Sequence, residues 1–301
     1  MAKQDYILRY LTIIKVLRRN KEATFEEIRD HLQKESEFQD RPFSISSRTF
    51  QRDLNEIRSL FKIDIQYNFS TKVYYIADDQ QSDLSNRMLE SIDTINSLKM
   101  VNDVAKSMFF EKRKAKGTHH FYGLIHAIKN RIVINLTHQK YESEEPTERL
   151  VEPYALKEAK GRWYLFAKDC DDKILKTFGL DRILDFENTS KRFDYPKNLD
   201  VNEFFRDCFG VINLEDGKPE EIILSFDSDQ GKYIKSYPIH ESQTIIIDDE
   251  GELRIKLNLC ITHDLIMELL SHGESMEVIA PKSLREEITT IFRKALNYYD
   301  T

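Results

Sequence analysis

Arg48, Gln51, Arg52 and Asn55 recur at intervals of three, one and three residues in a chain of 301. On a helix that spacing gathers two guanidinium and two amide groups on one face. Such groups suit the major groove of duplex DNA, where arginine pairs with guanine and glutamine or asparagine with adenine. Phe50, Leu54, Ile57 and Phe61 recur at four, three and four, so the same helix has an apolar face to bury. Residues 41–62 hold Arg41, Arg48, Arg52, Arg58 and Lys62 against Asp53 and Glu56, five basic groups to two acidic ones and a local charge of +3. An ordinary amphipathic helix with a solvated polar face has the same spacing, so the flanking elements must decide.

Catalytic chemistry finds little to work with. His119-His120, His126 and His138 invite a metal, yet no Cys or acidic partner stands at ligand spacing, and His119-His120 reads as the polar start of a helix. Neither Gly-x-Ser-x-Gly, nor His-Glu-x-x-His, nor a zinc-deaminase signature occurs. The nine glycines are never closer than six residues, which excludes the dinucleotide fingerprint and the Walker A loop. Cys170, Cys208 and Cys260 are odd in number and far apart, the pattern of reduced cytoplasmic thiols. The expectation is a binding protein with no catalytic residue, no metal and no cofactor.

Charge is distributed unevenly. The formal total is −7, but residues 1–80 contain 14 basic and 13 acidic side chains, a net of +1, leaving −8 for the rest. A nucleic-acid partner is therefore compatible with an acidic chain, provided one segment makes the contact. A hydrophobic content of 40% with 32% charged residues is globular, and the length suggests two or three domains. The longest run without a charged residue, Gly117 to Ile128, is twelve residues, short of the roughly 20 that a membrane span needs. Met1-Ala2-Lys3-Gln4-Asp5 turns polar at once, unlike a signal peptide. A cytoplasmic location follows as the expectation.

The elements that would position these groups can be traced by periodicity. Tyr6, Tyr10, Ile13, Ile14 and Leu17 mark a first helix. Thr24 and Glu27 have the spacing of a capping box and open a second, with Phe25, Ile28 and Leu32 inward. Residues 33–43 are expected as a loop. A third helix follows Ser46-Ser47, and two short strands alternate over 63–67 and 73–76. Three helices and a hairpin are the layout of a winged helix-turn-helix over 1–80. A polar linker at 78–83 leads to a helical segment over 81–130, with apolar positions from Leu84 to Val101 and a shorter helix from His119 to Asn130. Strand density then predicts a small barrel over 131–195, a connector over 196–219, and an α+β sandwich over 220–301. On the strand carrying Trp163-Tyr164-Leu165, Trp163 and Leu165 share one face as packing residues, while Tyr164 takes the other.

The run Ser46-x-Arg48-Thr49-Phe50-Gln51-Arg52-Asp53-Leu54 resembles the recognition helix of bacterial winged-helix regulators that carry a ligand-sensing WYL domain. The resemblance implies that Ser46 opens the helix and that Arg48, Thr49, Gln51 and Arg52 face DNA. The triplet Trp163-Tyr164-Leu165 is present, with Arg149 to Leu156 upstream and Lys176 to Ile183 downstream. In order and spacing these blocks are similar to the WYL domain, which implies an Sm-like small β-barrel. Residues 277–288 resemble the end of that family's C-terminal extension, WCX. The fold class expected is thus α+β multidomain. The resemblance also implies an effector, a nucleotide or nucleic-acid fragment, at Arg149, Tyr164 and Arg182, since arginine is the bidentate partner of phosphate and carboxylate. His138, at the end of a strand, is a further candidate contact. Arg182 has a second reading, an internal ion pair with Asp181.

Together these readings suggest a homodimeric transcription regulator with double-stranded DNA and an effector as partners. The rival is an RNA- or single-stranded-DNA-binding sensor whose winged helix makes only protein contacts.

Overall fold

The computed structural model of the chain describes residues 3–39, 43, 45–77, 91, 116–143, 145–213 and 217–299. Two compact units, Met1–Glu111 and Lys112–Thr301, divide it. The architecture is mixed α/β, with three antiparallel sheets among the described residues. The polar linker at 78–83 and the helix expected over 84–113 lie outside those residues, apart from Ser91.

The first unit contains α1 (Lys3–Asn20), β1 (Glu22–Ala23), α2 (Phe25–Gln39), α3 (Ser47–Phe61), β2 (Ile65–Asn68) and β3 (Val73–Ile76). α1 buries Tyr10, Ile13, Ile14 and Leu17. At the start of α2 the backbone donors would otherwise lack partners. The Thr24 N–H donates to Glu27 Oε2 at 2.7 Å, and the Glu27 N–H donates to Thr24 Oγ1 at 3.2 Å, which closes the capping box. These bonds hold the Glu27 carboxyl below its ordinary value.

α2 runs on to Gln39, so residues 33–39 are helix where a loop was expected. The run Gln33-Lys34-Glu35-Ser36-Glu37 has no apolar period, yet most of its residues are good helix formers and keep the helix winding. Ser36 Oγ then accepts the Phe43 N–H at 3.3 Å, and the Phe43 ring is fully buried. α3 packs Phe50, Leu54, Ile57 and Phe61 against α1 and α2. It ends at Lys62, in the left-handed region with φ 58°, whose N–H donates to the Arg58 carbonyl. The hairpin β2–β3 follows, with β1 on its other edge in the order β1-β3-β2.

The second unit begins with a 3-10 turn, Thr118–His120, and α4 (Phe121–Asn130). Five strands follow: β4 (Ile132–His138), β5 (Thr147–Ala159), β6 (Arg162–Asp169), β7 (Leu175–Gly179) and β8 (Ile183–Arg192). They form one sheet in the order β7-β6-β5-β4-β8. Both faces are covered. Ile134, Leu136, Val151, Leu165 and Ala167 meet Leu124 and Ala127 of α4, and Trp163 packs edge-on against Phe121 at 4.8 Å. The helix grouped with the linker from its sequence position is thus a layer of this domain.

On the other face, Phe166 meets Phe204 and Phe205 at 4.8 and 5.1 Å between ring centroids. Those two belong to α5 (Val201–Phe205), capped by the Asp200 carboxylate. Residues 196–213, expected as a plain connector, therefore contribute a second packing layer.

The C-terminal part has β9 (Glu220–Asp227), α6 (Ser228–Ser236), β10 (Thr244–Asp248), β11 (Glu252–Leu259), α7 (His263–Leu270), β12 (Met276–Ala280) and α8 (Lys282–Leu296). Its sheet has the order β10-β11-β9-β12. Ile222, Leu224, Phe226, Ile255 and Leu257 alternate into a core closed by Leu265, Leu269, Leu284 and Ile288 from the helices. Asp227 and Thr262 cap α6 and α7. Asp264, in the first turn of α7, reaches the connector: its Oδ2 accepts the N–H groups of Val211 at 2.9 Å and Ile212 at 3.3 Å. Gly210 has φ +83°, and a Cβ there would stand 2.4 Å from Asp264 Oδ2, so glycine is required twice over. Lys160 and Glu268 add an ion pair at 2.6 Å. Among the described residues no helix is long and apolar enough to cross a membrane.

Candidate functional site

α3 starts at Ser46, whose Oγ accepts the Thr49 N–H at 3.2 Å and lies 3.0 Å from Thr49 Oγ1. Ser46 and Thr49 thus spend polar groups on starting the helix. Arg48, Gln51, Arg52 and Asn55 all stand exposed along one side of α3. The Gln51 Nε2 donates to the Tyr74 hydroxyl of β3 at 3.0 Å, and the Arg52 guanidinium lies 5.8 Å from the Tyr6 ring centroid. Arg48 and Asn55 have no polar partner within the chain among the described residues.

What orients that face was not anticipated. Asp53 is fully buried and accepts from Arg9 of α1 through two bonds, Nε to Oδ2 at 2.6 Å and Nη2 to Oδ1 at 2.8 Å. A bidentate pair is the strong form of this interaction and fixes rotation as well as distance. The register carried a signal: Asp53 is three residues after Phe50 and four before Ile57, on the apolar face. Arg9 likewise sits among Tyr6, Tyr10 and Ile13. Charge alone counts Asp53 only as an offset to the basic groups.

In the second unit a cavity of about 500 Å³ opens beside the five-stranded sheet. His138, Arg149 and Arg182 line it together. Tyr164 does not: it pairs in register with Gly179, its phenol is pushed up mainly by burial, and it stands near Arg162, Asp181 and Asp264. The structure adds Lys140 and Lys176 to the cations, Tyr141, Phe166, Phe178 and Phe204 as aromatic wall, and Val211, Ile212 and Asn213 from the connector. Lys176 lay within a block already singled out, two residues before Phe178 and so on the same side of the strand. The connector residues left no sequence signal, because they reach the cavity only through the fold.

The cations are held at fixed places. Asp169, fully buried, accepts from Arg149 Nη1 at 2.6 Å and from Lys176 Nζ at 2.8 Å. Burial would raise its carboxyl, but Lys176, the Asp171 N–H and Arg149 together pull it down to about 2. Arg182 lies over the Tyr141 ring at 5.1 Å. Asp181 takes the Tyr141 hydroxyl at 3.0 Å and Arg162 at 3.7 Å. A Cβ on Gly179 would come within 2.6 Å of Asp181 Oδ1 and 3.0 Å of Arg182 Nε, so this glycine makes room for both side chains.

His138 is the exception in a bonded neighbourhood. It is 5% exposed, faces Phe178 edge-on at 5.4 Å, and neither ring nitrogen has a hydrogen-bond partner. Burial first, then Arg182, Arg149 and Lys140, lower its imidazole to about 4. The arrangement offers an anion four cationic side chains, flat aromatic surface, and a neutral imidazole able to donate and accept.

Residues 119–188 match the WYL domain, and residues 218–296 match the WCX domain. No curated protein matches the chain. Among solved structures, the chain is similar to proteasome accessory factor B/C (PafBC) of Arthrobacter aurescens. The identity is 18% and the TM-score 0.39, over 99% of this chain and 47% of that one. It thus spans about half the length of that protein. It is also similar to a CRISPR Cas-related protein, at 11% identity and a TM-score of 0.40, over 99% of this chain and 85% of the other.

Proposed function

We propose that this chain, which carries a WYL domain followed by a WCX domain, is a DNA-binding transcription regulator that responds to an effector. The observation that carries the reading is α3. Its inner face is fixed by Phe50, Ile57 and the buried Arg9–Asp53 pair, while Arg48, Gln51, Arg52 and Asn55 stand outward. The hairpin β2–β3 beside it supports a winged helix-turn-helix, with α3 in the major groove of double-stranded DNA. The strand order β7-β6-β5-β4-β8 behind α4 supports the Sm-like small barrel.

In this reading the cavity takes a nucleotide or nucleic-acid fragment through Arg149, Arg182 and His138, with Lys140 and Lys176 assisting. Tyr164 stands outside the cavity lining. The protein works in the bacterial cytoplasm by binding rather than by catalysis, as a homodimer with the WCX domain supporting dimerisation. Two recognition helices must meet half-sites about 34 Å apart, one helical turn, so a small effector-driven displacement changes DNA affinity.

The test is duplex binding by the Arg48→Ala, Arg52→Ala double variant. A bidentate arginine–guanine contact discriminates by about 1–3 kcal/mol, so the variant loses specific affinity about thirtyfold or more. Unchanged specific affinity overturns the reading. Retained binding of single strands by such a protein favours the sensor that meets RNA or single-stranded DNA.

A further inference from the structure

We propose that Tyr74, on the hairpin, is a positioning residue for base recognition: its hydroxyl holds the Gln51 amide in the orientation that reads adenine. This rests on α3 being the helix that meets duplex DNA. Gln51 is exposed, and an exposed glutamine ordinarily samples many rotamers that binding must freeze. Here the amide is already tied, Nε2 to the Tyr74 hydroxyl at 3.0 Å.

The anchor itself is rigid. Tyr74 is 9% exposed and lies in β3, the central strand of its sheet. Its ring meets Phe50 of α3 edge-on at 4.9 Å and Tyr67 of β2 at 4.7 Å. Phe50 is fully buried, so the stack is rooted in the core of the unit. The hydroxyl therefore cannot follow Gln51 if the amide moves.

A primary amide has two N–H donors and one carbonyl acceptor. Where Tyr74 takes the N–H anti to Oε1, the syn N–H and Oε1 are left side by side for a ligand. One donor beside one acceptor is the complement of adenine, whose major-groove edge presents the N7 acceptor and the N6 amino donor. Pre-ordering the amide removes part of the cost of binding and so sharpens the preference. The hairpin then takes part in base reading without touching a base, through the hydrogen bond it makes to α3.

The experiment is selection of binding sites from a randomised duplex library by the full chain, its Tyr74→Phe variant and its Gln51→Ala variant. Thermal unfolding and affinity for one non-selected duplex are measured in parallel. Wild type should enrich adenine at a position where Gln51→Ala shows no preference. Tyr74→Phe should flatten that same position about fivefold, roughly the cost of immobilising one rotamer-rich side chain on binding, and leave other positions and the non-selected affinity in place, with at most a small fall in the unfolding midpoint. A Tyr74→Phe motif identical to wild type overturns the proposal. So does a loss spread over all positions together with a lower midpoint, which would make Tyr74 a packing residue only. Enrichment of a base other than adenine at the Gln51-dependent position also overturns it. Failure of wild type to bind any duplex overturns the reading of α3 itself, an outcome distinct from the other three.

Discussion

Replacing His138 by phenylalanine should make the second unit less sensitive to acid, by an amount that the structure sets. The imidazole is 5% exposed at the end of β4, its two nitrogens unbonded and Arg182, Arg149 and Lys140 all opposing a positive charge. Asp181 favours protonation but is outweighed. The folded group titrates at about 4 against an unfolded value of 6.5. Below pH 6.5 the unfolded chain takes up the proton first, so stability is full above that pH, falls between 6.5 and 4, and levels off below. The whole gap is worth about 3 kcal/mol, of which about 2.5 kcal/mol has been lost by about pH 4.5. Urea unfolding at about pH 7 and about pH 4.5 measures it, followed through Trp163, the sole tryptophan, which sits in the same sheet. His120, His240 and His272 are also lowered by burial, but they are common to both proteins and cancel in the difference. Wild type should lose about 2.5 kcal/mol more than His138→Phe on going to the lower pH. Parallel losses would refute the reasoning, as would an imidazole that NMR finds titrating near 6.5. An anion in the cavity offsets the three cations and draws the imidazole up from about 4, so its binding takes up protons and tightens as pH falls toward that value.

Asp169→Asn should cost about 3 kcal/mol at neutral pH, because Arg149 and Lys176 lose their common buried carboxylate. With the carboxyl held at about 2, its contribution is present above about pH 4 and vanishes as pH falls toward 2, and urea unfolding across that window checks the sign. In the first unit, Asp53→Ala should destabilise by about 3–5 kcal/mol by removing the buried carboxylate that takes two bonds from Arg9. Arg9→Met with Asp53→Leu should recover most of that loss in thermal unfolding, since the pair then gives way to apolar packing.

The sequence was most legible where one local rule governed each residue. Thr24 and Glu27 announced their helix by spacing, and Ser46 announced the start of α3. The interval of four, three and four from Phe50 to Phe61 set which side of α3 turns inward. Residues 33–39 were opaque because the helix had been traced by apolar period, and there it is carried by backbone propensity. Arg9 and Asp53 were hidden by their charge, since each is affordable in the core only with the other, 44 residues away in sequence. At the cavity, Arg149 and Arg182 could be singled out from blocks of known order. Tyr164 shares the strand face of Phe166 yet stands outside the cavity, opposite Gly179, and no single strand shows where the cavity ends. Phe204 and Val211 to Asn213 were invisible for a related reason: their segment reads as a connection, and only the covered sheet turns it into a wall.

That wall gives the cavity a mechanical property. Val211 and Ile212 hang by their backbone N–H groups from one carboxylate oxygen of Asp264, at the head of a helix in the neighbouring domain. Asn213, next along the chain, grips the Phe204 carbonyl through its amide. A guest that pulls this rim inward must either drag the helix with it or break those bonds. By reciprocity, a second binder that shifts the helix would change the guest's affinity by the factor with which the guest changes its own. Asp264 is thus the hook that would join occupancy of the cavity to placement of the helix.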